Sequence, residues 1–176
     1  MRRIIAQCSK VVLVLAALGF TVGLGVGVAS AQNPHFIDSK TSLTVQSDGD
    51  LVVKFKESGV GDSLNIDYVF SAEATVTCTC VTNSGRCPNA ANKQTFSEDT
   101  ATGGTFSPKN GSVSATLTIT APECPSGAPP TCGGGQSFEL SAISYTDISL
   151  TDTTNTLTAG NLATSAGPLT FFTCPE

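Results

Sequence analysis

Apolar and polar side chains alternate with a period of two through most of the chain beyond residue 31, and no stretch there carries the periodicity of an amphipathic helix. In SLTVQ, Leu43 and Val45 share a face. SDGD then supplies a turn, and LVVKFK returns with Leu51, Val53 and Phe55 inward and Lys54 and Lys56 outward, which predicts a hairpin. LNIDYVF sets Leu64, Ile66, Tyr68 and Phe70 against Asn65 and Asp67, and ATVTCTCVT alternates as a further strand. Asn83–Pro108 reads as loop, with short strands at KQTFSE and GTF. Asn110-Gly111 is a turn pair leading into SVSATLTIT, where Val113, Ala115, Leu117 and Ile119 make one face. SFELSAISYTDISL begins with Phe138, Leu140 and Ala142 on one face and slips phase before Ile148 and Leu150, which predicts a bulge or bend. TDTTNTLTAGN reads as a polar loop and PLTFFTC as a last strand. Eight to nine short strands joined by turns predict an all-β fold, an antiparallel β-sandwich of immunoglobulin-like type with one solvated face per sheet.

The first 31 residues change the compartment. Arg2, Arg3 and Lys10 precede the apolar run VVLVLAALGFTVGLGVGV, which ends at Ala29-Ser30-Ala31. A positive flank, an apolar middle and a small-x-small site predict a secretory signal peptide over 1–31 and a single secreted domain over 32–176. Cleavage leaves 176 − 31 = 145 residues, enough for one domain with a core. Six basic and fourteen acidic residues then remain, a net charge of −8. An acidic domain without a basic cluster points away from nucleic acid, and nothing in the mature chain predicts membrane insertion.

The same compartment decides the cysteines. Cys78, Cys80, Cys87, Cys124, Cys132 and Cys174 make an even six in the mature chain, and export favours disulfides. A zinc site would show paired C-x-x-C ligands or nearby histidines; here the spacing is C-x-C then C-x7-C, and His35 is the only histidine, so no metal is expected. Cys78 and Cys80 lie two apart on one strand face, so each is expected to bond a different neighbouring segment. A local arrangement would join Cys80 to Cys87, Cys124 to Cys132 and Cys78 to Cys174. The competing arrangement sends Cys80 or Cys78 to Cys132, and spacing alone leaves both open.

Several stretches, namely NPHF, LVVKFKESGVG, CVTNSG with NAANK, KNG, CGGGQSFELSAISYTDISLTDTTN and the terminal FF, resemble a group of small exported, mostly bacterial β-rich proteins with no known activity. The resemblance spans most of the mature chain and implies one exported β-rich domain. It places Cys80 and Cys132 where that group carries cysteines, which favours a Cys80–Cys132 bond.

Little else suggests chemistry. Nucleophilic hydrolysis needs an oriented base, and His35, with Asp38 nearby, sits four residues from the expected mature terminus. The chain has no Trp to line a sugar cleft, and Tyr68 belongs to an inward face. The expectation is therefore no enzyme and no cofactor. Asp147, Asp152, Asn155 and Asn161 could supply oxygens to calcium, although their spacing is not that of an EF-hand. Thr75, Thr77 and Thr79 line one strand and Thr116, Thr118 and Thr120 another; as neighbours they would form a flat hydroxyl array able to order water. The expected function is a non-catalytic extracellular binding or structural module that meets a protein or cell-surface component. The alternative is a small inhibitor or toxin acting through the loops Asn83–Lys93 and Pro122–Gln136, with a hydrolase third.

Overall fold

The computed structural model describes residues 33–62, 64–88, 92–126 and 131–174; the apolar leader and the expected mature start at Gln32 lie outside them. The described residues form β1 (His35–Phe36), a 3-10 turn (Asp38–Lys40), β2 (Ser42–Val45), β3 (Leu51–Ser58), β4 (Ile66–Thr82), β5 (Lys93–Phe106), β6 (Ser112–Ile119), β7 (Gln136–Asp152), β8 (Leu157–Thr158) and β9 (Ala166–Thr170). Two antiparallel sheets result, an all-β sandwich. In the smaller, β3 is central, with β1 and β2 sharing one edge and β6 on the other. In the larger the order is β5-β4-β7, with β8 and β9 sharing the far edge of β7.

Alternation sets the layers. Leu51, Val53 and Phe55 of β3 and Val113, Leu117 and Ile119 of β6 pack in one core with the inward row of β4, from Ile66 to Val76, and with Ile143, Tyr145, Ile148 and Leu150 of β7. The β2–β3 turn closes through Gln46 N–H donating to the Asp50 carbonyl at 2.8 Å. Gly49 in that turn has φ +98°, a conformation that favours a residue without Cβ. The buried Tyr145 hydroxyl donates to the Gly49 carbonyl at 2.9 Å, tying the turn of one sheet to the middle of the other.

Several sequence expectations need correction. LNIDYVF and ATVTCTCVT are one strand, β4, and Leu64 lies before it, 64% exposed rather than inward. The region 93–106 is one continuous strand, not two short pieces in a loop. Its register with β4 runs unbroken from Lys93 opposite Thr79 to Phe106 opposite Ile66, while most of its side chains are exposed. Backbone pairing, not side-chain burial, makes β5 a strand, so the apolar pattern there is weak. The phase slip in β7 is a bulge at Asp147, φ +51°, where pairing steps from Glu73–Thr146 to Ser71–Ser149. A second shift at Ser141 puts Ala142 opposite Thr77 on the outer face, away from Phe138 and Leu140, which sit opposite Cys80 and Cys78. The final strand ends at Thr170, and the stretch read as polar loop contains β8.

The sheets differ in length. β4 and β7 each have 17 residues, roughly 55 Å of strand, against 8 residues and roughly 26 Å for β3 and β6. The end of β4, the start of β5 and the start of β7 therefore overhang the smaller sheet.

Candidate functional site

Three disulfides converge on that overhang: Cys78–Cys124, Cys80–Cys132 and Cys87–Cys174, with Cα–Cα separations of 5.9, 5.6 and 5.4 Å. None of the three purely local pairs forms. Cys78 and Cys80 continue the inward row of β4 and are fully buried. Their bonds draw the proline- and glycine-rich segment after β6 toward the inner face that the smaller sheet does not reach. Phe96 of β5 and Phe138 of β7 meet there edge-on, ring centres 6.1 Å apart. On the outer face, Thr79 is buried beside the chain end at Phe172–Cys174 and hydrogen-bonds Ser141 Oγ at 2.9 Å.

The β4–β5 turn is fixed by backbone and side chain together. Thr82 N–H donates to the Arg86 carbonyl at 2.8 Å, Arg86 N–H donates to Thr82 Oγ1 at 3.1 Å, and Gly85 N–H donates to the Thr82 carbonyl at 2.7 Å. Gly85 has φ +72°. Asn83 N–H donates to the Gly135 carbonyl at 3.0 Å, joining this turn to the β6–β7 segment. The described parts of Asn83–Lys93 and Pro122–Gln136 thus lie side by side, with Asn83, Ser84 and Arg86 exposed.

The other residues singled out by sequence do not assemble. His35 is exposed and its Nδ1 donates to the Asn33 carbonyl at 3.0 Å, whereas the Asp38 carboxylate accepts from Asn161 Nδ2. Asp147 is exposed at its bulge, while Asp152 is buried and accepts from Asn155 N–H at 2.9 Å and Asn155 Nδ2 at 2.6 Å. The four candidate calcium ligands are therefore not one site, and no group of three or more His, Cys, Asp or Glu able to hold a metal occurs among the described residues. Thr75, Thr77 and Thr79 belong to the larger sheet, Thr116 and Thr118 to the smaller, and Thr120 follows β6, so the two threonine rows are not neighbours.

One cluster escaped the sequence reading. At the end opposite the disulfides, Glu57, Tyr68 and Asp152 point between the sheets, with exposures of 0, 1 and 0%. Tyr68 sits among Phe36, Phe55 and Phe106, with the Phe55 ring 4.7 Å away. Burial, opposed by the Tyr68 hydroxyl and reinforced by the Asp152 carboxylate, raises the Glu57 carboxyl to about 7. Burial and then Glu57 push the Tyr68 phenol upward. The available signal was phase: Glu57 follows Leu51, Val53 and Phe55, and Asp152 follows Ile148 and Leu150, each in steps of two.

No protein-family model, curated protein or solved structure matches the chain. Among the described residues no helix is long and apolar enough to cross a membrane.

Proposed function

We propose that the chain is a secreted, non-catalytic binding module of immunoglobulin-like type whose disulfide-held end contacts a protein or polymer of a cell surface. A signal peptide over 1–31 and oxidation outside the cytoplasm belong to this reading, supported by the three disulfides. The observation that carries it is the position of the cross-links. All three act on the overhang, where they tie down the described parts of two loops and Cys174 beside the exposed turn that carries Asn83, Ser84 and Arg86. A surface already rigid before contact loses little conformational entropy on binding, and an exposed arginine held at the base of that turn is a favourable anchor.

The test is sedimentation of the labelled mature domain with intact cells and with isolated envelopes of the producing species, followed over concentration. Saturable retention is expected, with Arg86→Ala and Asn83→Ala weakening it at least tenfold. Outer-face variants Thr75→Ala and Ser97→Ala should leave it unchanged. Retention lost in the face variants and kept in the turn variants would overturn the assignment of the surface, and absence of saturable retention would overturn the reading itself.

A further inference from the structure

The cluster opposite the disulfides has an imbalance of donors and acceptors. Neither Glu57 oxygen nor the Tyr68 hydroxyl has a well-aligned hydrogen-bond partner, although all three atoms are buried and Tyr68 and Asp152 act directly on Glu57. Buried polar groups are nearly always paired, and each exception calls for an explanation. Asp152 already accepts two bonds from Asn155. It lies close enough to Glu57 for the two carboxyls to join through a hydrogen bond. Among the described residues no counter-charge faces them. Opposite Glu57, β1 brings Phe36 and β6 brings Val113; β4 brings Tyr68 and β7 brings Asp152. His35, Lys54 and Lys56 belong to the outward row of the smaller sheet.

The geometry points to a proton-binding site: Glu57 carries a proton in the native fold, directed toward Asp152, and losing it loosens the sandwich at this end. A single proton supplies the donor that two facing carboxyls lack, and the Tyr68 hydroxyl can donate to Glu57 in either state. Carried by Glu57, it donates to Asp152 and leaves the second Glu57 oxygen to accept from the Tyr68 hydroxyl. An ionised Glu57 would be a charge buried in an aromatic pocket beside Asp152, with no cation facing it among the described residues, which is strongly unfavourable. Release sends the proton to solvent and leaves Glu57 charged.

The raised Glu57 pKa supports this and fixes the pH window. A group held above its ordinary value stabilises the fold fully below that value, 4.5, and the contribution is lost as pH rises to about 7. The difference of 2.5 units corresponds to a roughly 200-fold fall in the folding equilibrium constant between pH 4 and pH 8. This inference does not depend on the binding surface proposed above.

Urea unfolding of the oxidised mature domain from pH 4 to 9 tests it, comparing wild type with Glu57→Gln, in which the side chain keeps its shape and cannot ionise. The wild type is expected to lose about two orders of magnitude more in folding constant across this range than the variant. In case Glu57→Gln does not fold, the carboxyl carbon of Glu57 is followed by NMR in the wild type, with a midpoint near neutrality expected. A midpoint in the ordinary carboxylate range, or parallel stability curves for the two proteins, overturns the proton bound at Glu57. Millimolar calcium at pH 8 should change neither protein. If it raises the wild-type unfolding midpoint and not that of Glu57→Gln, the pair binds a cation instead and the inference fails.

Discussion

Two of the disulfides are interlocked, and this makes their contributions interdependent. Cys78–Cys124 and Cys80–Cys132 span 46 and 52 residues, so the chain-entropy model assigns each about 4 kcal/mol if it acts alone. Once one is closed, however, the other closes a much smaller ring. From Cys80 the path runs 2 residues back to Cys78, across to Cys124 and 8 residues on to Cys132, a loop of about 10 residues. That loop is worth only about 2.7 kcal/mol. Removing either bond should therefore cost about 2.7 kcal/mol from chain entropy, and removing both about 6.7 kcal/mol, leaving a coupling near 1.3 kcal/mol. The packing lost at the buried Cys78 and Cys80 enters the single and quadruple variants alike and cancels in the cycle. The assay is equilibrium urea unfolding of the wild type, Cys78→Ala/Cys124→Ala, Cys80→Ala/Cys132→Ala and the quadruple variant. Trimethylamine oxide would be present throughout so that the weakest protein keeps a folded baseline. Additivity within about 0.5 kcal/mol would refute the nested-ring reasoning.

Two further outcomes follow from single residues. Tyr145→Phe removes the donor to the Gly49 carbonyl inside the core and should cost about 1–2 kcal/mol, read from the same urea curves; an unchanged midpoint would mean the β2–β3 turn does not depend on this bond. Asp147 occupies the left-handed region at φ +51°, so Asp147→Gly should leave stability unchanged or raise it by up to about 1 kcal/mol, whereas Asp147→Val should lower it by about 1–2 kcal/mol. Equal effects of Gly and Val would argue against a bulge held by backbone conformation.

The inward rows of β3 and β6 and the phase slip of β7 were legible because one face of each strand is buried and the other solvated. The 14-residue β5 was not, because its side chains are largely exposed and its strand character comes from hydrogen bonding to β4. Glu57, Tyr68 and Asp152 were half legible. Each stands in phase with an apolar row, but the reading of β3 stopped at Lys56, and a carboxylate at the next inward position is the one residue type that alternation does not count as core. The proximity of Glu57 to Asp152 comes from two strands in different sheets, which no local pattern contains. The exposed Leu64 shows the converse error, since an apolar residue in phase with a strand need not belong to it.

The mismatch in strand length ties the two ends of the molecule together. A sheet of 17-residue strands needs its inner face covered along its whole length, and 8-residue partners cover about half. At the covered end, the cost of closure is met by aromatic packing that seals Glu57 and Asp152 from water, and sealing is what makes their charge state matter to the fold. At the overhang no strand of the smaller sheet covers that face among the described residues. The segment after β6 is rich in proline, which lacks the N–H a ladder needs, and in glycine, which weakens a strand, so it does not prolong β6 over the inner face of β4. Covalent bonds from Cys78 and Cys80 hold that segment where backbone pairing does not. The C-x-C spacing follows from this need, because two inward positions on one strand, two residues apart, can staple two successive points of the covering chain. Rigidity at one end and a titratable seal at the other are therefore two solutions to one geometric problem, and pH should soften the sealed end while the cross-linked end keeps its shape.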